Sequence, residues 1–377
     1  MTKEIRVGIV GTKFMGRSHS NAFIDVPHFF EVPFTPVLQA ACGRNAADLA
    51  AFARQFGWKS QETSWEKLVE REDIDLVDIS TSNLTHCAIA VAAAKHGKHI
   101  LCEKPLAMNS TEARQMLDAV QEAGVRHMVA FNYRRVPAIV QAKKLIEEGK
   151  IGKIYHINAV YLQDWIVDPN FPMAWRFDAK EAGSGAHGDL NAHIIDLARY
   201  LVGEFEAVSG DMTTFVKERP TPDGKGKVQV TVDDATSFLA RFTNGAVGTF
   251  TATRFATGRK NFLRLEVFGS KGAFNFNLER LNELEYFSLN DPVVEQGFRQ
   301  VLVTESKHPY VNAWWPPGHI IGWEHTFIHE VRDLLIAIDQ KAEVYPNFYD
   351  GLRCQQVLDA VALSAAEKRW VTIPAEG

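Results

Sequence analysis

Short apolar segments, each closed by a polar or glycine turn and followed by a helical stretch, run through the first third of this chain and leave it few folds to choose from. Ile5-Arg6-Val7-Gly8-Ile9-Val10 is the first, and Gly11-Thr12-Lys13-Phe14-Met15-Gly16 follows at once, leading into a helical stretch from Ser18 to Ile24. Pro36 to Cys42 reads as a second strand, with Asn45 as the N-cap of a helix to Phe56. Asp73 to Ser80 and Lys98 to Cys102 are further strands, with helices over Ala88 to His96 and Ser110 to Ala123, and Val125 to Phe131 closes the series. Strands separated by amphipathic helices pair in parallel, with helices on both faces. Residues 1–131 are therefore expected to form a doubly wound α/β domain with a parallel sheet.

The turn after the first strand stands in the strand–glycine–helix context of a dinucleotide-binding fingerprint. Gly11 would allow the tight turn and Gly16 the close helix–strand packing. Lys13 replaces the middle glycine, and a side chain there is expected to crowd a pyrophosphate. Thr81-Ser82-Asn83 and Glu103-Lys104-Pro105 fall at the same carboxyl edge, where ligands of such sheets bind. Pro105 fixes the backbone after Lys104, so the lysine leaves its strand in a defined direction. After the second strand, Gly43-Arg44-Asn45 offers no carboxylate for a ribose 2′-hydroxyl, and Arg44 leans the expected cofactor from NAD toward NADP. Arginine can also lie flat on adenine.

Beyond Phe131 the pattern changes. A helix after Val136-Pro137 runs to Gly149. Strands then follow over Ile154 to Leu162, Val228 to Phe242, Ala246 to Arg254 and Leu263 to Phe268, with Gly245, Gly248, Gly269 and Gly272 marking turns. Residues 132–377 are expected to form an α+β domain with a large, open-faced, mostly antiparallel sheet, its final helix free to pack back on the first domain. One helix, beginning near Gly188, carries chemistry. Leu190, Ile194, Leu197 and Leu201 make its apolar face, and Asp189, His193, Asp196 and Tyr200 a stripe beside it. Asp189 and His193, four apart, are neighbours suited to general acid–base work. A capping aspartate with a satisfied core histidine fits the same pattern. His187 lies close by, yet no second histidine sits at the i, i+4 spacing of a helical zinc pair, and no metal is expected.

A net charge of −5 offers no basic field for nucleic acid and no polybasic membrane patch. No run of eighteen apolar residues exists to span a bilayer, and no signal-like segment precedes the first strand. Cys42, Cys87, Cys102 and Cys354 are scattered, which fits reduced thiols in the cytoplasm.

Taken in order, the glycine turn 11–16, Glu103-Lys104-Pro105 and Gly188-Asp189-Leu190-Asn191-Ala192-His193 resemble the Gfo/Idh/MocA family of oxidoreductases. Phe131-Asn132-Tyr133-Arg134, Gly269-Ser270-Lys271-Gly272 and Asp350-Gly351-Leu352-Arg353 extend the likeness along the chain. The resemblance implies a Rossmann domain, an open-sheet second domain serving substrate binding and oligomerisation, and a nicotinamide cofactor, NAD or NADP. It implies hydride transfer between that cofactor and a secondary alcohol of a sugar, anhydrosugar or polyol, in a homodimer or homotetramer. Lys104, Asp189 and His193 match the family's catalytic group. Gly11, Lys13, Phe14, Met15, Gly16, Arg44, Thr81, Asn83, His86, Glu103 and Lys104 are the residues expected on the cofactor. Tyr133, Arg134, Trp165, Trp175, Arg176 and His319 are candidate sugar contacts. Thr257 to Asn261 and Trp314 to His319 are similar to members oxidising sugars at C3. Two rival readings remain: an enzyme that retains its cofactor to process glycosides or pass hydride between sugars, and a non-catalytic sugar or dinucleotide sensor on the same fold.

Overall fold

The computed structural model describes residues 3–375, in two compact units. The first comprises residues up to Arg135 together with 322–353. Its strands and helices alternate as β1 (Lys3–Val10), α1 (Phe14–Phe29), β2 (Phe34–Cys42), α2 (Ala46–Phe56), β3 (Ser60–Glu62), α3 (Trp65–Glu70), β4 (Leu76–Ile79), α4 (His86–Lys95), β5 (His99–Cys102), α5 (Ser110–Ala123) and β6 (His127–Val129). The six strands pair in parallel in the order β3-β2-β1-β4-β5-β6. The order reverses between β1 and β4, the switch point at which such sheets open a crevice. Val7, Ile9, Leu76, Val77 and Ile100 are fully buried, as strands covered on both faces must be.

Backbone hydrogen bonds bring the strand ends level. The Gly11 amide donates to the Cys42 carbonyl (3.0 Å), Ser80 to Val10 (2.8 Å) and Glu103 to Ile79 (2.9 Å). The glycine turn and the loops carrying Thr81 and Lys104 thus share one edge. Helix ends follow local chemistry. Asn45 and Asn109 accept from the amides of Asp48 and Glu112, and Gly57 and Gly124 close α2 and α5 in the left-handed region. α1 starts four residues before the stretch expected from Ser18, directly on the glycine turn.

The second unit spans 136–321 and 354–377. It contains α6 (Pro137–Glu147), β7 (Ile154–Leu162), α7 (Ala179–Ala182), α8 (Ala192–Leu201), β8 (Phe205–Thr213), β9 (Glu218–Pro220), β10 (Lys227–Gln229), β11 (Ala235–Phe242), β12 (Val247–Thr253), β13 (Phe262–Gly269), β14 (Gly272–Asn277), β15 (Glu283–Ser288) and β16 (Arg299–Leu302). The chain then adds α9 (His325–Gln340) to the first unit; α10 (Phe348–Glu367) starts there and ends in the second, before β17 (Val371–Thr372). Nine strands form one sheet, β16-β15-β14-β13-β7-β12-β11-β8-β17, antiparallel except where β12 meets β7. On one face Phe238 and Phe250 stack at 4.5 Å within the core. On the other, Ser237, Leu239, Arg241, Val247 and Thr249 are exposed.

The strand expected over 228–242 is broken. Asp233 turns its carboxylate to the amides of Gly185 (2.7 Å) and His187 (2.8 Å), and Asp234 accepts from Phe215 (2.7 Å) and Val216. Two aspartates tied to other segments cannot continue a ladder, so β10 pairs separately with β9. The same bonds anchor the chain just ahead of α8. The first unit reaches past residue 131 for a similar reason. Asn132 donates to the Thr326 hydroxyl (2.8 Å), the His329 ring donates to the Arg135 carbonyl (2.9 Å), and Arg135 pairs with Asp333 (2.8 Å).

Candidate active site

The glycine turn is built as a close-approach cradle. Gly11 has φ +119°, and a Cβ there would lie 2.3 Å from the Ser80 carbonyl oxygen; one on Gly16 would lie 2.1 Å from that of Gly11. Both positions admit glycine alone. α1 begins at Phe14 with no side-chain cap and no acid in its first turn, so its N-terminus suits an anion such as a pyrophosphate. Lys13 sends its ammonium outward to Asp48 (2.7 Å), which leaves only its stem beside the turn where crowding was expected. Phe14 is exposed and stacks on Trp323 at 5.3 Å, 8° from parallel, while Met15 is half-buried. Arg44 is exposed at the end of β2.

Of the other expected cofactor residues, Thr81 accepts from the Thr85 hydroxyl (2.7 Å) and Asn83 is buried. His86 is fully buried, its ring 3.1 Å from the Pro105 carbonyl and 3.3 Å from that of Thr81. Burial lowers its pKa, and the ring lies between the two edge loops.

Lys104 is half-buried, two residues past the end of β5. Its backbone amide donates to Glu103 Oε2 (3.0 Å), and Glu103 Oε1 lies 3.1 Å from His19 Nε2. His19 Nδ1 lies 2.8 Å from Asp78 Oδ2, and Ser80 donates to Asp78 Oδ1 (2.7 Å). Burial opposes a charged ring, but carboxylates at both nitrogens outweigh it and hold the His19 pKa well above 6.5. Glu330, from α9, completes this interior cluster. Burial raises its pKa to about 8 despite nearby Arg135, and neither carboxyl oxygen has a hydrogen-bond partner among the described residues. Tyr133 and Arg134 are buried in the same unit, Arg134 paired with Asp350 at 3.2 Å.

In the second unit, a π-helical turn, His187–Asn191, leads into α8. Asp189 sits in that turn and His193 in the first turn of α8. The Asp189 carboxylate accepts from Arg254 (2.7 Å), a side chain 2% exposed whose guanidinium lies 5.4 Å from the Trp165 ring. His193 is buried, its ring at an edge to Tyr161 at 5.8 Å. Asn261 organises this face: its carbonyl oxygen accepts from the Tyr161 hydroxyl (2.8 Å) and the Gln163 amide (2.9 Å), and Gln163 in turn accepts from Trp165. His187 has both ring nitrogens engaged inside the fold, donating to the Leu358 carbonyl and accepting from Asn191. Trp165 packs on Phe171 and Phe177. Trp175 is exposed with Arg176 over its ring at 4.4 Å, and His319 is exposed in a loop, bonded to the Pro316 carbonyl.

His19, Asp78, Tyr161, Gln163, Arg254 and Glu330 of these networks carried no role in the sequence reading, and Asn261 entered only within the stretch Thr257 to Asn261. Asp78 had a signal, as a charged residue inside an otherwise apolar buried strand. Tyr161 had another: it shares strand parity with Ile157 and Ala159, which places it on the buried face of β7.

Residues 5–131 match the oxidoreductase family with an NAD-binding Rossmann fold, and residues 139–275 match the GFO/IDH/MocA C-terminal domain. Levoglucosan dehydrogenase of Pseudarthrobacter phenanthrenivorans is 44% identical, the match covering 99% of both chains. The crystal structure of an oxidoreductase domain protein from Kribbella flavida superposes with a TM-score of 0.96 at 49% identity over 100% of both chains. Levoglucosan dehydrogenase in complex with NADH and levoglucosan superposes with a TM-score of 0.96 at 45% identity, covering 99% of this chain and 100% of that one.

Proposed function

This chain belongs to the Gfo/Idh/MocA family of oxidoreductases, and on that premise we propose that it transfers a hydride between a secondary alcohol of a sugar, anhydrosugar or polyol and a nicotinamide cofactor. The observation that carries this reading is full-length likeness to levoglucosan dehydrogenase in a chain that also has the glycine cradle, Lys104 after β5, and the Asp189–His193 pair. The cradle at Gly11 and Gly16 and the uncapped N-terminus of α1 are the groups that would hold the dinucleotide. When bound, the nicotinamide supplies the hydride acceptor.

The protein's own task is to handle the proton. His193 takes it from the substrate hydroxyl as general base. Asp189, secured by Arg254, steadies the cationic ring that results, and Lys104 donates a hydrogen bond to the oxygen as its negative charge develops. Asn261, through Tyr161 and Gln163, stiffens the surroundings of His193 and Trp165. Trp175, Arg176 and His319 are our candidates for contacts to the sugar.

NAD is the cofactor we favour, supported by the NADH bound in the neighbouring levoglucosan dehydrogenase structure; Arg44 is the residue that would admit NADP. A homodimer or homotetramer is supported by the exposed sheet face bearing Leu239 and Val247, and a cytoplasmic setting by cysteines that form no disulfide among the described residues. No described helix is long and apolar enough to cross a membrane. The test is nicotinamide reduction with levoglucosan, glucose and myo-inositol, each with NAD and with NADP. Turnover of at least one alcohol is expected. Dinucleotide binding without turnover of any cyclic polyol would overturn the reading.

A further inference from the structure

Lys104 leaves β5 on a backbone held from below, and the hold is unusual for its composition. Glu103 is 4% exposed and uses both carboxylate oxygens, one on the Lys104 amide and the other on His19. His19 is 1% exposed and reaches Asp78, itself fully buried in the middle of the sheet, through its second nitrogen. The Ser80 hydroxyl fixes the remaining Asp78 oxygen. Phe327 packs against the His19 ring at 5.4 Å, and buried Glu330 is an electrostatic neighbour of His19, Glu103 and Asp78. A charged imidazole and two carboxylates in an apolar interior are costly unless their geometry is specified, and here every contact leads toward the residue that carries Lys104. An apolar core would support the strands equally well, but it would leave the Glu103 carboxylate free to rotate and the Lys104 amide without a directional partner.

We propose that His19 is a positioning residue for Lys104: anchored on Asp78, it holds Glu103 so that the Glu103 carboxylate fixes the backbone from which the lysine projects. The inference rests on the reading of Lys104 as the group that stabilises the reacting oxygen. His19 touches neither substrate nor cofactor in this account. It acts through Glu103, and a displacement of the lysine by about 1 Å lowers turnover on the order of a hundredfold.

The ring's two nitrogens allow a directional test. In His19→Gln the amide nitrogen overlays Nε2 and keeps a donor to Glu103. In His19→Asn it overlays Nδ1, keeps Asp78 and loses Glu103. We expect His19→Asn to lower kcat roughly ten- to a hundredfold with KM and NADH affinity close to the parent. His19→Gln, which keeps the donor to Glu103 but gives up the anchor on Asp78, should recover part of that loss. Each is combined with Lys104→Ala in a double-mutant cycle, and in that background His19→Asn should cost nothing further. Equal losses for the two variants, or a His19→Asn loss that multiplies in full onto Lys104→Ala, would overturn the proposal. A Lys104→Ala enzyme with nearly parental turnover would instead refute the role of the lysine, which keeps the two failures distinct. Should His19→Asn not fold, as judged by near-UV circular dichroism, Glu103→Asp enters the same cycle. Its carboxylate is one methylene too short to meet both His19 and the Lys104 amide, so its loss of kcat should likewise vanish on the Lys104→Ala background.

Discussion

Replacing Glu330 by Gln should stabilise the protein, and increasingly so as pH rises. Glu330 is 1% exposed on α9, and burial lifts its carboxyl from an ordinary value near 4.5 to about 8. The native protein therefore keeps this proton at neutral pH, while the unfolded chain has released it. The sign follows: the carboxyl's contribution is most favourable below pH 4.5 and is lost as pH rises through 8. Each pH unit inside that window costs about 1.4 kcal/mol, about 5 kcal/mol across the whole of it. Glutamine has the same shape and does not titrate. Neither Glu330 oxygen has a described hydrogen-bond partner, so the amide forfeits no bond that the carboxyl makes. Urea unfolding followed by tryptophan fluorescence at pH 5.5, 7 and 8.5 measures the difference between variant and parent. We expect a gap that opens by about 1.4 kcal/mol per pH unit to about pH 8 and then levels. A gap independent of pH would refute the reasoning. Such a flat gap would mean that Glu330 is ionised in the native protein and held by Arg135.

Three further outcomes bear on the site. Gly16→Ala places a methyl 2.1 Å from the Gly11 carbonyl, and dinucleotide affinity measured by NADH fluorescence should fall at least tenfold, the cost of about 1.4 kcal/mol or more of local displacement. Arg44→Asp should raise the NAD-to-NADP affinity ratio about tenfold or more, because a carboxylate at that place binds a ribose 2′-hydroxyl and repels a 2′-phosphate; an unmoved ratio would show that Arg44 does not read the ribose. His193→Asn should remove the acid limb from the pH profile of kcat/KM and lower turnover by roughly a hundredfold or more. If the limb persists with modest loss, the base is Lys104.

The lysine after β5, the glycine turn and the Asp189–His193 pair were legible as candidates because each is a short-range pattern. A strand followed by glycine and a helix, a proline after a lysine and a four-residue helical spacing are properties of neighbours in the chain. The same holds for the parallel sheet, whose strands announce themselves by apolar runs between amphipathic helices. The interruption at Asp233 and Asp234 was not legible, since those carboxylates serve amides at Gly185, His187 and Phe215. Nor was the return of α9 to the first unit, which depends on Thr326, His329 and Asp333 meeting residues 132–135. The networks that support the candidate chemistry are of this second kind. Asp189 meets Arg254 across 65 residues and His19 meets Glu103 across 84. Sequence alone marks most of the segments that become strands and helices, because backbone periodicity is local. Which buried charge faces which is decided by strand order and side-chain parity, and those exist only once the sheets have closed.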